Sequence, residues 1–273
     1  MSFASMLSFS LALIPLPLMQ GVERTDTVPQ STAQQAAPGI AWQRSLEDAL
    51  AVQKVTAQPL LIVVNSAGEV FNDRFRTDTY GRADFIASTR GYVCVIASPD
   101  RHNERDYDGL GNRIECPVFA GCTCGEHIAI EPALFARYFN GNRWAPRHLG
   151  VGPDGKILFD RFQDRSMQTA IDAIASHRGQ PAADAAVPDD LEALLKRRDA
   201  AARRALEGMY RGAAMARRLQ ILAAAGHATN DPLDLLRMAL RSADESEFEA
   251  GADTLARIAG AQALPDLEDA IAR

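Results

Sequence analysis

Three of the four cysteines and two of the five histidines lie between residues 102 and 127. In order they are His102, Cys116, Cys122, Cys124 and His127. Thiolates and imidazoles are the usual protein ligands of zinc and copper, and four of them could surround one ion. If a helical turn begins here, Cys124 and His127 are three residues apart and face the same way. We therefore expect His102, Cys116, Cys124 and His127 to hold zinc or copper.

Disulfide chemistry is the alternative for the same cysteines. Thiols of exported proteins usually oxidise, so Cys116 could pair with Cys122 or Cys124 and close a loop of fewer than about ten residues. A bond between Cys122 and Cys124 would be strained and reducible, which would make the segment a redox site. The spacing matches none of the well-known zinc patterns, so all three alternatives remain open. Cys94 lies in an apolar run and is expected to be an inert core thiol.

The elements that precede the cluster alternate between helix and strand. Ser45, followed by two acids, predicts a helix over about 45–55. The branched run over 60–64 predicts a strand buried on both faces. A second helical stretch, about 70–89, leads to another buried-strand run over 92–97. Two strands joined by a helix should be parallel.

The cluster itself lies in a long polar insert, 99–131, that follows the second strand. A short helix is expected over 132–139. A Gly-Pro-Asp-Gly turn between 147–151 and 156–162 predicts a hairpin, and a last helix over 166–177 completes the unit. Ligands of open α/β sheets collect beyond the carboxyl ends of the parallel strands, and the insert leaves from such an end.

This order of elements resembles the thioredoxin fold over about residues 40–178. Two further features support the resemblance: Trp42-x-x-Ser45 at the start, and Ala145-Pro146 before the hairpin. The resemblance implies an α/β domain, a mixed sheet with flanking helices. It also implies that the peptide bond before Pro146 is cis and that this proline faces the active site.

The central chemistry of the thioredoxin family is absent from its expected position. In that family the redox Cys-x-x-Cys follows the first buried strand, and residues 65–69 of this chain read Asn-Ser-Ala-Gly-Glu. The Pro146 loop of the resembled fold lies at the same end of the sheet as the insert. Pro146 and His148 are therefore expected to line a site near the missing motif, although His148 could equally be a surface strand residue.

A linker by composition, 179–188, separates this unit from an all-α region over 189–273. Apolar residues at helical spacing predict helices over about 189–206, 208–225, 232–242, 245–259 and 265–272. A weak period of 34 aligns Leu206 with Leu240. Paired helices at such a period resemble a short HEAT-like solenoid, and a plain helical bundle is the alternative. We expect this region to bind a protein partner.

The amino-terminal segment predicts export. Residues 1–22 contain no charge, and Pro15 and Pro17 would break a spanning helix, so a signal peptide fits better than an anchor, although its start lacks basic residues. A buried amino-terminal helix is the alternative. Residues 23–39 read as a flexible tether. We therefore expect an exported protein, periplasmic or extracellular, without a transmembrane span.

Composition excludes some partners. Of 273 residues, 47% are hydrophobic and 23% charged, which is ordinary for a globular protein. The 29 basic and 35 acidic residues give a net charge of −6, so a nucleic-acid partner is not expected. One stretch of the helical region is nevertheless basic, with Lys196, Arg197, Arg198, Arg203, Arg204, Arg211, Arg217 and Arg218 against Asp199 and Glu207. A solvated helical face is the expected explanation, with an acidic partner or an anionic membrane as the alternative.

The main interpretation is an exported binding or scaffold protein. It has a thioredoxin-like domain without the redox motif, an insert that holds a metal ion or a bridged loop, and a helical region for interaction. The enzyme alternative is a thiol-disulfide oxidoreductase that uses Cys116, Cys122 and Cys124.

Overall fold

A computed structural model describes most of the chain between residues 39 and 258. The described ranges are 39–162, 166–180, 187–228, 230 and 232–258. The predicted signal peptide, nearly all of the tether, the middle of the 179–188 linker and the last predicted helix lie outside these residues. Within the described ranges, no helix is both long and apolar enough to cross a membrane.

Four strands form one mixed sheet: β1 (Leu60–Val64), β2 (Val93–Ala97), β3 (Arg147–Val151) and β4 (Ile157–Phe162). Their order across the sheet is β2-β1-β3-β4. As predicted, β1 is parallel to β2, and β3 and β4 form an antiparallel hairpin. Strand β3 also runs antiparallel to β1. Strands β1 and β2 are buried along their whole length, as their unbroken apolar runs require.

Five helices flank the sheet: α1 (Leu46–Thr56), α2 (Val70–Asp78), α3 (Ala83–Thr89), α4 (Cys124–Tyr138) and α5 (Met167–His177). Alternate residues of β1 point to opposite faces. On one face, Leu61 packs with side chains of α2, α3 and α5. On the other face, Ile62 packs with side chains of α1 and α4. The predicted helices at 45–55 and 166–177 are confirmed.

The predicted helix over 70–89 is wrong as a single element, because a turn separates α2 from α3. Tyr80 and Phe85 would point about 140° apart around a continuous helix. The turn lets both rings enter the same core, with their centroids 5.6 Å apart.

The polar insert ends earlier than expected, because α4 begins at Cys124 rather than near Pro132. Thr123 and Glu126 form a capping box that starts the helix within the predicted irregular segment. Pro132 lies inside α4 and gives up one backbone donor there. The expectation of an irregular chain as far as residue 131 is therefore wrong.

The C-terminal region is helical, as predicted. Its described helices are α6 (Leu191–Lys196), α7 (Ala200–Gly212), α8 (Met215–Ala225), α9 (Leu233–Ala239) and α10 (Glu245–Ile258). They share one apolar core, and α10 packs against both α8 and α9. The predicted helix over 189–206 is divided, because the Asp199 side chain caps a new helix by accepting the N–H of Ala202. The HEAT-like arrangement stays a prediction.

Part of the basic stretch is not a solvated face, because it meets the acidic start of α1. Arg198 bonds Glu47 at 2.6 Å, and Arg203 bonds the buried Asp48 at 2.7 Å. These contacts join residues of the two predicted domains. The boundary between those domains stays a prediction.

Candidate metal centre

Four potential metal ligands lie together beyond the carboxyl end of β2. They are His102, Cys116, Cys124 and His127, and one donor atom from each lies within 4.8 Å of the others. His102 and Cys116 are on the loop between β2 and α4, whereas Cys124 and His127 are in the first turn of α4. The four predicted residues thus come together, and this cluster could hold a metal ion.

The start of α4 organises one side of this cluster. The Thr123 side chain accepts the N–H of Glu126 at 3.2 Å, and the Glu126 carboxylate accepts the N–H of Thr123 at 2.7 Å. At the helix amino terminus, Cys124 Sγ accepts the backbone N–H groups of His102 and Asn103, each at 3.3 Å. These bonds attach the loop to the helix, and they favour negative charge on the sulfur.

His127 is fully buried and has one ring nitrogen free. Its Nδ1 lies 3.0 Å from the carbonyl oxygen of Ser98. Because a carbonyl only accepts, Nδ1 carries the proton and Nε2 carries a lone pair. Within the described chain, Nε2 is buried without a hydrogen-bond partner. A metal-bound histidine commonly has this arrangement, in which the second nitrogen donates to a backbone carbonyl.

Phe119 orients the two imidazoles. Its ring meets those of His102 and His127 edge to face, with centroids 5.6 and 5.3 Å away. His102 Nδ1 lies 3.4 Å from Cys116 Sγ. Burial lowers the pKa of both His102 and His127. Both rings therefore stay neutral near pH 7, the state in which imidazole binds a metal.

No disulfide joins any of the four cysteines, all of which lie in described residues. Burial raises the pKa of Cys116 to about 11 and also raises that of Cys122. The Cys122 thiol donates to the Phe119 carbonyl at 3.1 Å. Cys94 is buried in β2, and burial raises its pKa to about 12, as an inert core thiol requires. The bridged loop expected as an alternative is therefore not formed here.

Pro146 and His148 lie at the start of the hairpin. The Ala145–Pro146 peptide bond is cis, as the family resemblance implies. His148 is buried, with Nε2 3.1 Å from the Tyr80 hydroxyl and its ring 4.6 Å from that of Phe75. The alternative that His148 is a surface strand residue is therefore wrong. Its role in lining the site stays a prediction.

Sequence reasoning missed the residues that support the ligands. Ser98 and Phe119 show no motif, because their roles depend on a backbone carbonyl and on a ring position. Asp100 is another, since its carboxylate accepts the backbone N–H of Ala67 at 2.5 Å. This bond attaches the start of the insert to the 65–69 turn, where the thioredoxin family carries its redox cysteines.

Comparisons with known proteins place the chain only by fold class. No protein-family model matches it, and no curated protein matches it either. One similar solved structure is titled "DsbH Oxidoreductase". It is 13% identical, with a TM-score of 0.36 over 55% of this chain and 94% of that chain.

The class that the fold itself defines is a mixed α/β sheet with flanking helices, joined to a helical C-terminal region. The DsbH structure suggests a thioredoxin-like fold only weakly, and the activity in its title belongs to that protein. HEAT-like repeats have no support from the family models or the curated proteins.

Proposed function

We propose that this protein is a thioredoxin-like binding or scaffold protein whose insert is held by one structural zinc ion. The ligands would be His102, Cys116, Cys124 and His127. One observation carries the proposal: the buried Nε2 of His127 has no hydrogen-bond partner in the described chain, while its Nδ1 is held by the Ser98 carbonyl. An unpaired buried acceptor costs free energy, and a metal bond would remove that cost.

The ligand set favours zinc in a structural role. Zinc binds thiolate sulfur at roughly 2.3 Å and imidazole nitrogen at roughly 2.0 Å, so tetrahedral ligands lie roughly 3.3–3.8 Å apart. The donor atoms here lie within 4.8 Å of one another, so shifts of about 1 Å would complete the geometry. Two cysteines and two histidines fill all four positions and leave none for water or substrate. Copper is the alternative ion, and elemental analysis distinguishes the two.

The thioredoxin-like part of the proposal rests on topology. The strand order β2-β1-β3-β4 and the cis Pro146 before β3 support it. Residues 65–69 contain no thiol, and buried thiols with a raised pKa are poor nucleophiles. These features favour binding over thiol-disulfide exchange. The uncharged start of the chain supports export, and the helical region is the proposed surface for a protein partner.

Elemental analysis of the purified full chain, combined with a free-thiol count in denaturant, tests this function. We expect one zinc per chain and four titratable thiols once a chelator is present. Cys124→Ser should lose the zinc, and Cys122→Ser, a matched control beside it, should retain it. Copper in place of zinc would change the ion but keep the site.

Two results would overturn the proposal. A chain without metal and with two thiols missing would indicate a bridged loop. Rapid insulin reduction that is lost in Cys122→Ser or Cys124→Ser would make the protein a thiol-disulfide oxidoreductase.

A further inference from the structure

A buried polar network joins the insert to α9 of the helical region. The Asp234 carboxylate accepts a hydrogen bond from Arg44 at 2.7 Å and one from the Tyr107 hydroxyl at 3.0 Å. Arg113, also in the insert, has its Nε 3.6 Å from the same carboxylate. Asp234 is 8% exposed, so these contacts are largely shielded from water.

The same Arg113 reaches the metal centre. Its guanidinium forms an ion pair with Glu126, the residue immediately before His127. Glu126 also closes the capping box by accepting the N–H of Thr123, next to Cys124. Direct contacts therefore run from Asp234 through Arg113 and Glu126 to the helical turn that carries two of the four ligands.

A second attachment fixes the insert to the end of α9. Gly111 has a φ of +81°, and a Cβ built on it would lie 2.6 Å from the carbonyl oxygen of Arg237. The Arg237 guanidinium lies 4.5 Å from the centroid of the Tyr107 ring and donates to its hydroxyl at 2.6 Å. Only glycine allows so close a backbone approach in this conformation. The insert and α9 thus pack backbone to backbone.

The charges of the network are balanced. Three arginines (Arg44, Arg113 and Arg237) face three carboxylates (Glu126, Glu207 and Asp234). Burial alone would raise the pKa of Asp234, but the three guanidinium groups together hold it below its usual value. Removing one carboxylate leaves uncompensated buried positive charge, and the adjoining groups must rearrange.

From these contacts we infer that α9 supplies the outer shell of the metal centre, with Asp234 as a positioning residue for the zinc ligands. Docking of α9 holds Arg113 and Glu126 in place and so raises the affinity for zinc. By linkage, zinc must strengthen the docking of α9 by the same factor. A partner that binds the helical region and moves α9 would therefore change zinc affinity. This inference rests on the proposed zinc site.

Competition between the full-length apoprotein and a chromophoric chelator for zinc tests the inference. Asp234→Asn keeps the shape of the side chain and removes its charge. We expect it to bind zinc about tenfold more weakly than the wild type, as typical for loss of an outer-shell partner. The matched control is Glu247→Gln, since Glu247 is equally buried and bonds Tyr210, Ser242 and Arg218, all in the helical region. Its zinc affinity should change by less than about twofold.

Hydrogen exchange supplies the reciprocal readout. In the wild type, zinc should slow exchange of the backbone amides of α9, and this protection should be lost in Asp234→Asn. If Asp234→Asn fails to fold, Tyr107→Phe replaces it, because it keeps the ring and loses only the hydroxyl. A weakening of zinc binding of about two- to fivefold is then expected.

Different failures point to different errors. If the wild type binds no zinc, the proposed function and this inference both fall. If the wild type binds zinc but Asp234→Asn binds it equally well, only the inference falls. Equal weakening in Asp234→Asn and Glu247→Gln would also overturn it, since a general loosening of the helical region would then explain both.

Discussion

Ser98 and His127 bond each other twice. The Ser98 carbonyl accepts from His127 Nδ1 at 3.0 Å, and the Ser98 N–H donates to the His127 carbonyl at 3.3 Å. Ser98 directly follows β2, and His127 lies in the first turn of α4. The pair therefore attaches the helix to the strand end and determines which nitrogen of His127 faces the other ligands.

The first prediction separates ring from side-chain contributions at this pair. His127→Ala should abolish stoichiometric zinc binding, because it removes the ligand. Ser98→Ala should leave zinc content unchanged, because both bonds use the Ser98 backbone. Elemental analysis after gel filtration measures both. Full zinc content in His127→Ala would exclude His127 as a ligand.

The second prediction concerns what the metal holds in place. Cys124→Ser should release zinc and speed hydrogen exchange in the insert, residues 99–123, while β1 and β2 stay protected. The physical reason is that both strands are buried by the helices rather than by the insert. Cys122→Ser is the control and should show wild-type exchange in the insert. Loss of protection in β1 would contradict this prediction.

The third prediction is a pH dependence from His148. Burial lowers its pKa from 6.5 to about 4, so the folded state resists protonation where the unfolded state accepts it. This contribution to stability is complete above the unfolded pKa and falls as the pH drops from about 6.5 to about 4. The loss should reach about 3 kcal/mol at most.

Urea unfolding of the wild type and His148→Gln at pH 7 and pH 4 measures this effect. The wild type should lose more stability on acidification than the variant does, because other acid-sensitive groups are common to both. Equal losses would show that His148 titrates normally in the folded protein.

The fourth prediction concerns Arg44, which is buried and forms ion pairs with Glu207 and Asp234. Arg44→Gln should lower the free energy of unfolding by about 3 kcal/mol, because it leaves buried carboxylates without their partner. The control is Arg82→Gln, which breaks an exposed pair with Asp84 and should barely move the urea midpoint. Equal shifts in both variants would show that burial of the Arg44 pairs adds nothing.

Local sequence determined the elements that carry the site. The apolar runs at 60–64 and 93–97, the Ser45 helix start and the Gly-Pro-Asp-Gly hairpin all appear where the residues predict them. Periodicity and turn chemistry act within a few residues, so a single sequence displays them. The convergence of His102 with Cys124 followed from topology, since the insert leaves the carboxyl end of a parallel strand.

Only the tertiary structure decided which charges and carbonyls support those ligands. Arg44 bonds Asp234 across 190 residues, and no local pattern connects them. His148 has the composition of a surface strand residue, and the rings of Phe75 and Tyr80 bury it. The basic residues of α7 look solvated in sequence, although Arg203 binds Asp48 of α1. Such partners depend on how separate elements pack, because electrostatic and burial energies follow distance in space rather than along the chain.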